Sequence, residues 1–268
     1  MSQQVDGLEP WGRRRLLRTL VVVSVVAGIG LVGLGYAVYS AVTVSSQPPA
    51  AASGPDPNSM ASGSQRRDAI ASAPMLAVPP EAARAGTPSA EVGPAIAVPP
   101  AGRVGPAEVT TGFPNTPEGA VGQLAAIETT VLQGMSVHTA TAVYQAWSRP
   151  GAPPAGEWEL VKNIQAFQAS RAGTKVGPAG PTVVATAVAA QVKGSDGPDW
   201  VLACVLMDVR AQMASTGRIA YGHCERMQWD DGRWVIGAGT APSRAPSTWP
   251  GTDLARQAGW STWASEDQ

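Results

Sequence analysis

WVLACVLMDVRAQMASTGRIAYGHCERMQW, Trp200 to Trp229, is the stretch whose reading decides the fold. Two apolar, strand-like runs, Trp200–Arg210 and Arg218–Trp229, flank a short turn at Ala214–Gly217. Side chains alternate across a strand, so a pairing register can be tested on both faces at once. Setting Cys204 opposite Cys224 also pairs Val201 with Met227, Val205 with His223, Met207 with Tyr221 and Val209 with Ile219. One face then holds both cysteines and the other is mostly apolar, the consistency a true register shows. The register predicts a cross-strand disulfide, with two buried free thiols as the alternative.

Working outward, Pro181–Lys193 and Arg233–Ala238 also alternate with period two. Gly194–Gly197 and Asp230–Gly232 carry turn residues, so the four runs form an antiparallel meander. Upstream the period lengthens. Thr116-Pro117-Glu118 reads as an N-cap, first-turn proline and first-turn acid, followed by apolar residues at helical spacing. Further helices are expected over Ser136–Trp147 and about Glu157–Arg171, the latter with Trp158, Val161, Ile164 and Phe167 on one stripe. A short helix around Thr252–Gly259 closes the chain. The expected class is α+β, with helices covering one face of a curved antiparallel sheet in a cone-like domain over 111–268.

Near the other end, Thr19–Ala41 is an uncharged run of 23 residues, long enough at ~1.5 Å per residue to cross a ~30 Å hydrocarbon layer. Arg13, Arg14, Arg15 and Arg18 precede it, and the next basic residue is Arg66. This asymmetry predicts a single-pass plasma-membrane protein with residues 1–18 cytoplasmic and the C-terminal domain extracytoplasmic. The run exceeds the ~7–15 residues of a signal-peptide core, so a retained anchor is favoured over a cleaved signal. Ser24 and Gly28, and Gly33, Ala37 and Ala41, recur at four-residue spacing, which suits close helix packing in lipid.

Residues 42–110 read as a disordered Pro/Ala-rich linker. Val44–Ala107 holds 12 of the 24 prolines and eight charged residues, and no aromatic lies between Tyr39 and Phe113. Such a composition buries too little apolar surface to offset its ordering entropy. LAVPP (Leu76–Pro80) and IAVPP (Ile96–Pro100) recur within it, either as docking segments or as a duplication.

The chemistry visible in the sequence is sparse. From Glu108 onward there are 11 Lys+Arg and 14 Asp+Glu, a balance that does not suit nucleic acid. The only histidines, His138 and His223, lack metal-ligand spacing, and no nucleophile elbow, P-loop or dinucleotide fingerprint is present. No cofactor, metal or catalytic residue is expected. His223 and Cys224 are neighbours on a strand and point to opposite faces, so they form no dyad. Glu225, with Tyr221 and His223 on the same face, marks a possible pocket. Its readings are a carboxylate at a sheet edge or paired with Arg or Lys or, less favoured, a base of an isomerase or hydrolase. Eight of the nine tryptophans follow position 146, mostly as core, and any exposed ones would suit protein contacts.

TGFPNTPEGAVGQLAAIETTVLQGMS (Thr111–Ser136), VYQAWSRPG (Val143–Gly151) and WPGTDLARQAGW (Trp249–Trp260) resemble membrane proteins encoded with actinobacterial conjugative or type IV secretion-like elements. The helix-then-sheet order is similar to the nuclear-transport-factor-2-like cone of single-pass conjugation subunits. The resemblance implies a non-enzymatic scaffold whose partners are other membrane or channel subunits, with a homo-oligomer possible because cone domains often pair through the outer sheet face. The alternative is a stalked extracytoplasmic small-molecule or cell-wall binding module.

Overall fold

The computed structural model describes residues 63–170, 182–212 and 216–265. The tail, the anchor with Ser24, Gly28, Gly33, Ala37 and Ala41, and linker residues 42–62 lie outside the described residues. Among the described residues no helix is long and apolar enough to cross a membrane.

Helices pack on a curved, half-barrel sheet, so the α+β expectation holds. In chain order the elements are helix α1 (Ser64–Ser72), strands β1 (Ala95–Val98), β2 (Arg103–Val104) and β3 (Thr110–Thr111), and helices α2 (Pro117–Gly134), α3 (Val137–Trp147) and α4 (Glu159–Ser170). Then come β4 (Thr182–Ser195), β5 (Trp200–Gln212), β6 (Thr216–Asp230), β7 (Arg233–Ile236), α5 (Asp253–Gln257) and β8 (Ser261–Ser265). The main sheet runs β1-β8-β4-β5-β6-β7, and β2 pairs with β3 separately. All its pairings are antiparallel except β1 with β8. Register shifts in β4 at Ala187/Ala189 and Val192/Gly194 are bulges of the kind that bend a strand and increase its twist.

Helices α2 and α3 start at side-chain caps, and α4 starts at Glu159, two residues after the expected position. Thr116 accepts from the Gly119 N–H, with Pro117 at the first helical position, and Ser136 accepts from Thr139. Helix α2 buries Val121, Leu124, Ile127 and Val131 completely against β4 and β5. Each such side chain contributes roughly 1.5–3 kcal/mol through apolar burial. The hairpin register is the expected one: Cys204 lies opposite Cys224 and Val205 opposite His223. Cys204 and Cys224 are joined in a disulfide.

The linker reading is corrected. Residues 63–110 are part of the folded body, with Ala71, Val98 and Val109 buried. The segment is stitched to the C-terminal tail by Ser243 N–H to Ala71 O, Trp249 N–H to Ala82 O, Asp253 N–H to Thr87 O and Thr262 N–H to Pro94 O. Lys193 Nζ also donates to the Ala71 and Ala73 carbonyls that end α1. Buried indoles complete the anchoring: Trp147 donates to Pro106 O at 3.0 Å and Trp234 to Pro114 O at 2.8 Å. A proline-rich chain offers carbonyls without matching N–H groups, so donors from elsewhere in the chain, namely the tail's backbone N–H groups, Lys193 and the Trp147 indole, hold it in place.

This strap changes the sheet's outer face. Cys204, Leu206, Ala220 and Cys224 pack there against Ala245, Ala255, Ala258, Trp260 and Met75, while Trp200 and Leu202 cover Ala71. The tail approaches so closely that a Cβ on Gly222 would sit 2.8 Å from Pro246 O. The outer face on which a cone-type dimer would form is therefore occupied by the chain's own residues.

Candidate functional site

Alternation along β6 puts Tyr221, His223 and Glu225 on the face toward the helices, as their odd numbering requires. Cys224 points the other way into its disulfide. His223 and Glu225 are buried, and Tyr221 is half-buried.

The three expected residues belong to a larger network. Trp158, just before α4, donates its indole N–H to Glu225 Oε1 at 2.6 Å. His223 Nε2 lies 3.0 Å from the same oxygen. On its other side, His223 Nδ1 is 3.5 Å from the Tyr221 hydroxyl and 3.8 Å from Glu159 Oε2. Asn163 Nδ2 donates to the Tyr221 hydroxyl at 3.0 Å, and the Tyr221 and His223 rings stack with centroids 5.9 Å apart. Tyr144 packs on Trp158 at 4.8 Å and donates to Pro153 O. The first turns of α4 are thus clasped to β6 through polar groups.

Burial opposes a charge on His223, but the hydrogen bond it donates to Glu225 and the fields of Glu225, Glu128 and Glu159 outweigh it, pushing its pKa up to about 9. At neutral pH the imidazole is a cation donating to Glu225, not a base. Glu128, on α2, is fully buried, and neither carboxyl oxygen has a hydrogen-bond partner among the described residues. Desolvation raises its pKa well above the ordinary value, opposed by the His223 charge.

Beside this network opens a cavity of about 480 Å³ lined by Tyr144, Trp158, Glu159, Lys162, His223 and Glu225 and by the Gly239–Arg244 segment. It has the size of a small-molecule site, and Glu157, Glu159, Lys162, Glu225, Arg226 and Arg244 make its lining strongly charged. Among the described residues no three His, Cys, Asp or Glu side chains are grouped to hold a metal ion.

The residue pattern of β6 exposed only part of this site. Glu128 is the lone acid in the apolar run AAIETTVL, and a carboxylate on a buried helical stripe is the signal that could have found it. Trp158, Glu159 and Asn163 enter from a helix that no local pattern pairs with β6. Compared with known protein families, curated proteins and solved structures, the chain matches none.

Proposed function

We propose that the chain is a non-enzymatic, single-pass membrane subunit whose exported α+β domain is an assembly module of a conjugative transfer or type IV secretion-like apparatus. The charge asymmetry around Thr19–Ala41 and the resemblance of Thr111–Trp260 support this reading.

The observation that carries it is the strap. Because residues 63–110 are stitched into the folded body, only residues 42–62 separate it from the expected anchor. Even fully extended, that stretch reaches at most about 75 Å. That length bounds how far from the expected anchor the domain can work, which suits a subunit of a membrane apparatus.

The network's chemistry agrees with a scaffold. Glu225 spends Oε1 on Trp158 and His223, and the cationic His223 clamps α4 to the sheet. The second reading, a small-molecule or cell-wall binding module, draws on the cavity beside Trp158.

Crosslinking in intact cells, followed by purification from solubilised membranes, tests the proposal. Recovery with a membrane ATPase and channel subunits in fixed proportion is the expected result. Recovery of the chain alone would overturn it, and stabilisation by a small ligand would then favour the second reading.

A further inference from the structure

Arg244 lies in the segment between β7 and α5, which packs along β6 where the Gly222 N–H donates to Ser247 Oγ. It is exposed, and its guanidinium forms no ion pair or hydrogen bond with a described residue. Two apolar grooves meet at it. One, of about 290 Å³, is walled by Leu132, Met135 and Ile164 on the helix side of the sheet. The other, of about 590 Å³, is walled by Leu76, Val78 and Pro79 of the strap. Ile219, Tyr221 and Arg244 line both, so the grooves form a fork with Arg244 at its junction. Leu76 is 42% exposed and Ile219 40%, which leaves apolar surface open in both arms.

Charge in the fork has one sign. The charged residues of the two linings are Arg244 and, in the strap arm, Arg84, whose side chain also has no partner among the described residues. Glu157, Glu159 and Glu225 line the neighbouring cavity instead, and their charge keeps an anion out of it. Two guanidinium groups beside apolar walls suit a molecule with an anionic head and apolar chains, because arginine matches a phosphate through parallel N–H donors. A neutral apolar ligand would leave both arginines unused. An acidic peptide would match the arginines and leave the apolar walls uncovered.

We infer that the fork binds an anionic two-chain phospholipid, its phosphate on Arg244 and one acyl chain in each arm. The inference rests on the membrane reading of Thr19–Ala41 for the source of the lipid, because residues 42–62 hold the domain within about 75 Å of the expected anchor. Burial of the chains supplies affinity, about fourfold per methylene taken from water. The arginines select the anionic head over a neutral or zwitterionic one. The seated lipid bridges α2, α4, β6 and the strap, and so fixes which end of the domain faces the membrane, a restraint that the tether's length does not give.

The test uses the full chain purified in dodecyl maltoside. Native mass spectrometry should find one phosphatidylglycerol more on each wild-type chain than on Arg244→Glu. The arginines before Thr19 are present in both, so lipid held beside the anchor cancels. Added dioctanoylphosphatidylglycerol should raise the wild-type melting temperature, and Arg244→Glu should need at least about tenfold more for the same shift while melting normally without lipid. Ile219→Glu, which places a carboxylate in both arms, should have the same effect. Equal retention by wild type and Arg244→Glu overturns the inference, as does an equal shift from dioctanoylphosphatidylcholine, whose head has no net charge. An equal shift from inorganic phosphate or a hexaglutamate peptide also overturns it, assigning the arginines to a free anion or to an acidic protein segment. Because the lipid is added to the purified chain, failure here leaves co-purification with channel subunits standing, and a chain recovered alone from cells can still bind the lipid.

Discussion

Asp68 on α1 and Arg226 on β6 form a 2.8 Å ion pair that ties the Pro/Ala-rich strap to the outer face of the sheet. The Arg226 side chain is almost wholly buried while Asp68 remains largely exposed. Arg226 also donates to Thr240 O at 2.8 Å, so one charge anchors both the strap and the segment after β7. Asp68→Ala leaves a buried guanidinium with one partner fewer. After allowance for the solvent around Asp68, the cost is about 1–2 kcal/mol. The melting temperature should fall by several degrees, and limited proteolysis should cut first within Pro74–Arg84. An unchanged cleavage pattern would show that the strap is held without this pair.

The Cys204–Cys224 disulfide links adjacent central strands 20 residues apart in sequence, and Met75 of the strap packs on Cys224 Sγ at 3.7 Å. Replacing both cysteines with alanine removes the cross-link and the strap's contact together. The expected loss is about 3 kcal/mol, mainly through the less constrained unfolded chain. Alkylation of the intact protein should label no thiol without reductant and two after reduction in denaturant. Two thiols labelled without reductant would refute the bond.

Glu128 offers a stabilising change. Its carboxyl group is fully buried and has no hydrogen-bond partner among the described residues, so it carries a desolvation cost that an apolar side chain of similar length avoids. Glu128→Met should raise stability at pH 8 by roughly 1–3 kcal/mol, with less effect below about pH 4, where unfolded chains also hold the proton. Destabilisation at pH 8 would mean that the carboxyl is needed by the His223 network.

The middle of the fold was legible because its signals are local. The Thr116-Pro117-Glu118 cap, the four period-two strands and the pairing of Cys204 with Cys224 are each contained in a few neighbouring residues or one hairpin. Strands β1 and β8 were not legible. They are four and five residues long and are strands because β8 pairs with both β1 and β4, partners far from it in sequence. The strap was missed for the same reason at a larger scale. Its low aromatic content is real, but Trp147, Trp200 and Trp260 elsewhere in the chain supply the burial that its own composition lacks. At the site, β6 displayed Tyr221, His223 and Glu225 through alternation, whereas Glu128 and Trp158 reach them only after α2 and α4 have docked.

The polar network also gives the domain a pH dependence of definite sign. His223 is held protonated up to about pH 9 in the folded state, against an ordinary value of 6.5. A raised pKa means that the folded state binds the proton more tightly, so this contribution is complete below about pH 6.5 and is lost as pH rises through 9. Glu128 acts in the same direction. Its pKa is raised above 4.5 by burial, so its contribution is complete below that value and declines as the unfolded carboxyl ionises. Asp208 acts oppositely, because the hydrogen bond from Arg218 lowers its pKa below 3.8, and its contribution is lost only in stronger acid. Stability should therefore peak at about pH 4, above the acid loss of Asp208 and below the onset of the Glu128 decline, and fall by roughly 3 kcal/mol or more toward pH 9. His223→Gln should flatten the part of the decline between pH 7 and 9 while leaving the part due to Glu128. Thermal unfolding measured from pH 4 to 9.5 checks both, and a melting temperature that is level or rising from pH 6.5 to 9 would rule out a buried His223 cation.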